Sequence, residues 1–88
     1  KGIGDLPSAR KVLEKVLTLE PNNFPALANL GTVYQDQKEF DKAIDTYRKA
    51  LAINENSAEV HNNIGGVLKE KGLMEEGMVH CKKAIELK

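Results

Sequence analysis

The chain has 88 residues, 41% hydrophobic and 30% charged, with thirteen basic and thirteen acidic side chains and a formal net charge of zero. That length suits one small domain, and the even charge argues against a nucleic-acid binder, which shows a basic face and a high pI. No apolar run approaches the ~18 residues needed to span a membrane. No signal-peptide pattern is visible, although Lys1 need not be a native start, and the single cysteine, Cys81, excludes an internal disulfide and fits a reducing, cytoplasmic setting.

The first apolar-periodic segment opens in "GDLPSAR" and predicts a helix over 7–19. Pro7 is tolerated there because first-turn amides have no helical partner. "LEPNNFP" then supplies Asn23 as an N-cap, with Pro25 just inside the next helix. The second helix, predicted over 24–37, carries Leu27, Leu30, Gly31 and Tyr34 on one stripe. The polar run Gln35-Asp36-Gln37-Lys38-Glu39 leaves room only for a tight turn. Ala43, Ile44, Tyr47, Ala50 and Leu51 form the stripe of a third helix, over 41–53. "INENSAE" brings Ser57, a second N-cap, and a fourth helix over 58–71, and the fifth covers 75–87. Nothing in the pattern calls for a strand. Basic residues at Lys15, at Arg48 with Lys49, and at Lys82 with Lys83 are expected to oppose the negative ends of their helices.

The segments are copies. Shifted by 34 residues, Asn29-Leu30-Gly31 falls on Asn63-Ile64-Gly65, Ala50 on Ala84, Leu51 on Ile85 and Asn23 on Ser57. Leu6, Phe40 and Met74 make a further apolar column at the same spacing. A fixed period with size-matched apolar positions marks a repeat array, in which each unit buries its apolar face only by stacking on a neighbour. Helices approach to 8–10 Å only where small side chains sit at the crossing. Gly31 and Gly65 supply such places, as do Ala43, Gly77, Ala50 and Ala84.

With Leu30-Gly31, Tyr34, Ala43, Tyr47 and Ala50 in a 34-residue helix–turn–helix unit, the chain resembles the tetratricopeptide repeats. It departs from that pattern where Leu27 and His61 replace a Trp, Glu55 a Pro, Leu68 a Tyr, Gly77 an Ala and Cys81 an aromatic residue. The resemblance implies an all-α, right-handed α-solenoid of antiparallel helix pairs with five helices. It divides the chain into a half repeat (4–23), a full repeat (24–57) and a full or nearly full one (58–88), a segment of a longer array. Because the family prefers Ala at the place of Gly77, Gly77→Ala is expected to be neutral or stabilising.

In that family the first helix of each pair lines a concave groove that takes extended peptides. The matching positions here are Pro25, Ala28, Asn29, Thr32, Gln35 and Asp36, then Glu59, Asn62, Asn63, Gly66, Lys69 and Glu70. Asn29 and Asn63 stand where the superhelical domain of O-linked N-acetylglucosamine transferases carries an asparagine ladder. An Asn side chain both donates and accepts, so it can pair with any peptide backbone, or with its own neighbouring turn. The carboxylate-clamp variant of the family is not matched, since Ala28 and Thr32 occupy the places of its first-helix Lys and Asn.

Cys81, His80 and His61 are the nucleophile and metal-ligand candidates. Adjacent helical residues diverge by about 100°, which misplaces His80 for Cys81, and Cys81 shares its column with Leu13 and Tyr47. Cys81 therefore reads as a small buried hydrophobe and His61 as a packing residue. No spacing suits zinc, and neither "GIG" nor Gly65-Gly66 is a phosphate loop, for lack of a preceding strand. No cofactor, metal or catalysis is expected. The expected function is a non-catalytic module binding a protein or peptide partner, without nucleic acid or membrane. The alternatives are a scaffold that self-associates through its open repeat ends, as a homo-oligomer, or the substrate-recruiting segment of a larger glycosyltransferase-like enzyme.

Overall fold

The computed structural model describes residues 6–87, so the expected start of the half repeat at Gly4, and Gly2-Ile3-Gly4, lie outside the described residues. Five helices follow one another: α1 (Leu6–Leu19), α2 (Phe24–Asp36), α3 (Phe40–Ile53), α4 (Ala58–Lys71) and α5 (Met74–Leu87). Every boundary lies within one residue of its sequence expectation, and no strand occurs among the described residues.

The caps and turns repeat with the sequence. Asn23 Oδ1 accepts from the Ala26 amide at 3.0 Å, and Ser57 Oγ accepts from the Val60 amide at 3.2 Å. Each satisfies an amide the helix itself cannot. The α2–α3 turn closes with Lys38 N–H on the Gln35 carbonyl and Glu39 N–H on the Tyr34 carbonyl. The same two bonds recur 34 residues later, from Gly72 to Lys69 and from Leu73 to Leu68. Both turns pivot on one left-handed residue: Gly72 at φ 100° and Lys38 at φ 65°. Glycine takes that conformation freely, whereas a lysine there costs roughly 1–2 kcal/mol.

The expected dipole pairing fails in three helices. Only α4 has basic residues in its last turn, Lys69 and Lys71. The helices run past Lys15, Lys49 and Lys83 to Leu19, Ile53 and Leu87, so those cations lie about a turn inside, on solvent-facing positions.

α3 is the centre of the packing, with α2 on one side and α4 on the other. Leu27, Ala43, Ile44, Tyr47, Ala50, Val60, Ile64, Val67 and Leu68 form one buried cluster across these three helices. At about 25 cal/mol per Å2 of buried apolar surface, each such large side chain stabilises the fold by roughly 1.5–3 kcal/mol. An ion pair from Lys71 to Asp41 joins α4 to α3 at the surface. α1 is held to α2 by Tyr34 Oη donating to Glu14 Oε2 at 2.9 Å and by Arg10 donating to Gln37 at 3.4 Å.

The glycines show how close the helices come. A Cβ on Gly31 would lie 2.5 Å from the Tyr47 ring, which is fully buried. Gly65 and Gly77 face each other, and a Cβ on either would meet the other's carbonyl oxygen, at 2.8 Å from Gly65 and 2.7 Å from Gly77. The expectation that Gly77 tolerates alanine is therefore wrong for this chain. With glycine on both helices, α4 and α5 have closed backbone on backbone, and no methyl fits between them. Gly66, next in sequence to Gly65, has only Gln35 Nε2 nearby, at 3.8 Å.

Gly66 and Gly77 should thus answer an alanine in opposite directions. Gly66→Ala is expected to stabilise by up to about 1 kcal/mol through helix propensity. Gly31→Leu should cost about 1–3 kcal/mol or more by overpacking, and Gly77→Ala about 1 kcal/mol net of the propensity gain. Urea unfolding of the three variants checks this; a Gly77→Ala chain at least as stable as the parent would contradict the backbone contact.

Candidate functional site

Burying one face of α2 leaves the opposite one in solvent. Pro25, Asn29, Thr32 and Asp36 are exposed, at the four- and three-residue steps of one helical stripe. α4 presents a corresponding row, with Glu59, Asn62, Lys69 and Glu70 exposed and Asn63 and Gly66 half-buried. Ala28 is half-buried and packs on the core.

A hydrogen-bonded chain links the two rows. Thr32 Oγ1 lies 2.9 Å from Tyr47 Oη, and Tyr47 Oη donates to Gln35 Oε1 at 3.2 Å. With that proton committed, Thr32 is the donor to Tyr47, in place of its alternative 3.2 Å contact with the Ala28 carbonyl. Gln35 Nε2 then donates to Glu70 Oε1 on α4 at 2.9 Å. Gln35 thus spans α3 and α4 from α2, and Gly66 lies beneath its amide. The structure brings together Thr32, Gln35, Gly66 and Glu70 of the expected groove residues. The stem of Lys69 lies instead over Gly77 of α5.

Among the described residues, the side chains of Asn29, Asn62 and Asn63 make no hydrogen bond, so the recurrent asparagines do not serve their own turns. Three carboxylates, Asp36, Glu59 and Glu70, stand on the two rows. Burial raises the Tyr47 phenol above its ordinary range; the Thr32 hydrogen bond opposes this, and the charges of Asp36 and Glu59 add to it. Beside Glu59 and Asn62 an open hollow of about 380 Å3 reaches Ala84 and Ile85 at the end of α5.

Sequence reasoning placed Tyr47 in the core and missed its hydroxyl. The available signal was chemical: a tyrosine at a fully buried position needs a partner for its O–H. Sequence spacing does not pair the two histidines, yet the rings of His61 and His80 meet edge to edge with centroids 5.3 Å apart. His61 is buried, as expected of a packing residue. Cys81 is half-buried, with its sulfur against Gly65 of α4 and away from any histidine bond. Among the described residues no group of three or more His, Cys, Asp or Glu could hold a metal ion. No helix there is long and apolar enough to cross a membrane.

The tetratricopeptide repeat pattern matches residues 24–57 and again 58–88. The chain is 40% identical over 73 residues to the type IV pilus assembly protein PilF of Pseudomonas aeruginosa, covering 83% of this chain and 29% of that protein. It is 39% identical over 73 residues to a UDP-N-acetylglucosamine–peptide N-acetylglucosaminyltransferase of Caenorhabditis elegans, covering 83% of this chain and 6% of that one. The crystal structure of MamA superposes with a TM-score of 0.91 at 32% identity, over 97% of this chain and half (50%) of MamA. The chain thus spans less than a third of the length of the first curated relatives it matches.

Removing the Tyr47 hydroxyl should detach the network while leaving the ring on Gly31. Tyr47→Phe is expected to lower stability by about 0.5–1.5 kcal/mol, the net worth of a hydrogen bond, with the helical circular dichroism unchanged. Equal urea midpoints for the two proteins would show that the chain from Thr32 to Glu70 contributes nothing.

Proposed function

This chain belongs to the tetratricopeptide repeat family, and we propose that it is a non-catalytic protein–protein interaction module that holds an extended peptide or protein segment along the exposed rows of α2 and α4. One observation carries this reading: two asparagines 34 residues apart, Asn29 and Asn63, stand on those rows with their amides unspent. Each offers an NH2 group that donates and an oxygen that accepts to a passing backbone. Thr32, Gln35 and Glu70, by contrast, are tied to one another and keep the two rows in register. Asp36 and Glu59 are left to select charge, and the hollow by Ile85 to take a side chain. Names among the relatives agree with such a role, since several are assembly proteins or subunits of assemblies.

A second reading is favoured by α5. Met74, Met78, Val79 and Ile85 are all more than half exposed on that helix, and apolar patches of this kind mark contact sites. In that reading the chain is a scaffold that self-associates. The transferases among the relatives support a third use, as a recruiting segment beside a catalytic domain.

Selection from a library of unstructured twelve-residue peptides, followed by titration of one selected peptide, tests the first reading. Asn29→Ala with Asn63→Ala is expected to weaken binding by roughly 5- to 150-fold, two hydrogen bonds' worth, and similarly for peptides of different sequence. Equal affinity in a double variant with parental circular dichroism would remove the asparagines from the site. Sedimentation decides the second reading: a concentration-dependent dimer abolished by Met78→Glu with Ile85→Lys is expected, and a monomer at millimolar concentration would exclude it.

A further inference from the structure

His61 and His80 meet through their Nδ1 atoms, 3.1 Å apart, where α4 packs on α5. His61 Nε2 lies 2.9 Å from the Glu55 backbone carbonyl. A carbonyl can only accept, so His61 Nε2 carries a hydrogen and neutral His61 presents a bare Nδ1. His80 must then donate from its own Nδ1. The bond therefore fixes both tautomers. It fits one added proton at most, because two imidazolium rings would set N–H against N–H.

The surroundings decide what that proton meets. From α3 the guanidinium of Arg48 acts on His80, from α4 His61 itself, and from α5 the carboxylate of Glu76, one turn before His80. Two of these three disfavour a charge on His80 and one favours it. Burial acts in the same sense as the majority and is the largest effect, and together they hold the His80 ring below the usual histidine range. The preceding unit has no such device: its residues at the same places are Leu27 and Thr46, both buried.

We propose that the His61–His80 pair makes the docking of α5 on α4 sensitive to protons, firm at neutral pH and loosened in mild acid. The sign follows from linkage. One added proton, at His80 Nε2, leaves the bond in place and a second would break it, whereas the undocked chain can charge both rings; with burial also holding His80 below its unfolded value near 6.5, the undocked chain binds more protons in acid. The contribution is thus complete above that unfolded value and is lost as the pH falls from it through the lower, folded one. Undocking α5 would release the backbone contact between Gly65 and Gly77. His61 and His80 are the only two histidines in the chain.

Thermal unfolding of the parent and of the His61→Leu, His80→Thr double variant, followed from pH 7.5 to 5.0, tests the proposal. The substitutions copy the preceding unit. The parent midpoint is expected to fall by several degrees across this range, and the variant's to stay nearly level. A level parent, or two parallel curves, would overturn it. Should the variant not fold, the imidazole resonances of the parent decide alone. The 15N shifts should report Nε2–H for His61 and Nδ1–H for His80 at pH 7.5, with His80 titrating below 6.5 and α5 amide resonances moving with it. Freely exchanging tautomers, or titration of both rings at the ordinary value with α5 unmoved, would refute the pair.

Discussion

The fold depends on the contact of the Tyr47 ring with Gly31. The ring has no exposed surface, and it lies where any side chain at residue 31 would have to be. That contact sets the distance between α2 and α3, and α3 in turn carries α4. A glycine in a helix interior weakens the helix by about 1 kcal/mol. It is retained where the packing of an aromatic ring, roughly 1.5–3 kcal/mol on burial, exceeds that loss. The second unit reaches the same closeness differently. There Cys81 replaces the ring and Gly77 the alanine, so backbone meets backbone.

The same ring links packing to the proposed site. Its edge fills the helix crossing and its hydroxyl emerges between α2 and α4, holding Thr32 and Gln35, and through Gln35 the carboxylate of Glu70. Repetition does the rest. A 34-residue step that buries Leu27, Leu30 and Gly31 must bury Ile64 and Gly65 on the next unit, leaving Asn29 exposed and Asn63 half-exposed beside them. A surface with stations at a fixed interval suits a ligand that is itself periodic, as an extended backbone is. The proposed groove follows from the way the units stack.

The architecture was legible because local signals agreed with one another. Caps at Asn23 and Ser57, apolar stripes at helical spacing and a polar turn every unit all gave the same boundaries. What could not be read was anything that depends on distance between helices. The period places Gly77 opposite Gly65 but not how near, and the alanine expected to be harmless there has no room. Lysines counted as helix-end charges fell short because the helices continue one more turn. His61 and His80 are nineteen residues apart, and nothing in the one-dimensional pattern pairs them. The hydroxyl of Tyr47 was within reach of reasoning, since Tyr in place of Phe at a buried position implies a partner.

The central claim, that ring and glycine are one packing unit, is tested most directly by a double-mutant cycle of Gly31→Ala and Tyr47→Leu, read by urea unfolding. The account requires Gly31→Ala to be costly in the parent and nearly neutral or stabilising in the Tyr47→Leu background, a coupling of about 0.5–3 kcal/mol. Additive losses, with Gly31→Ala equally costly in both backgrounds, would contradict it.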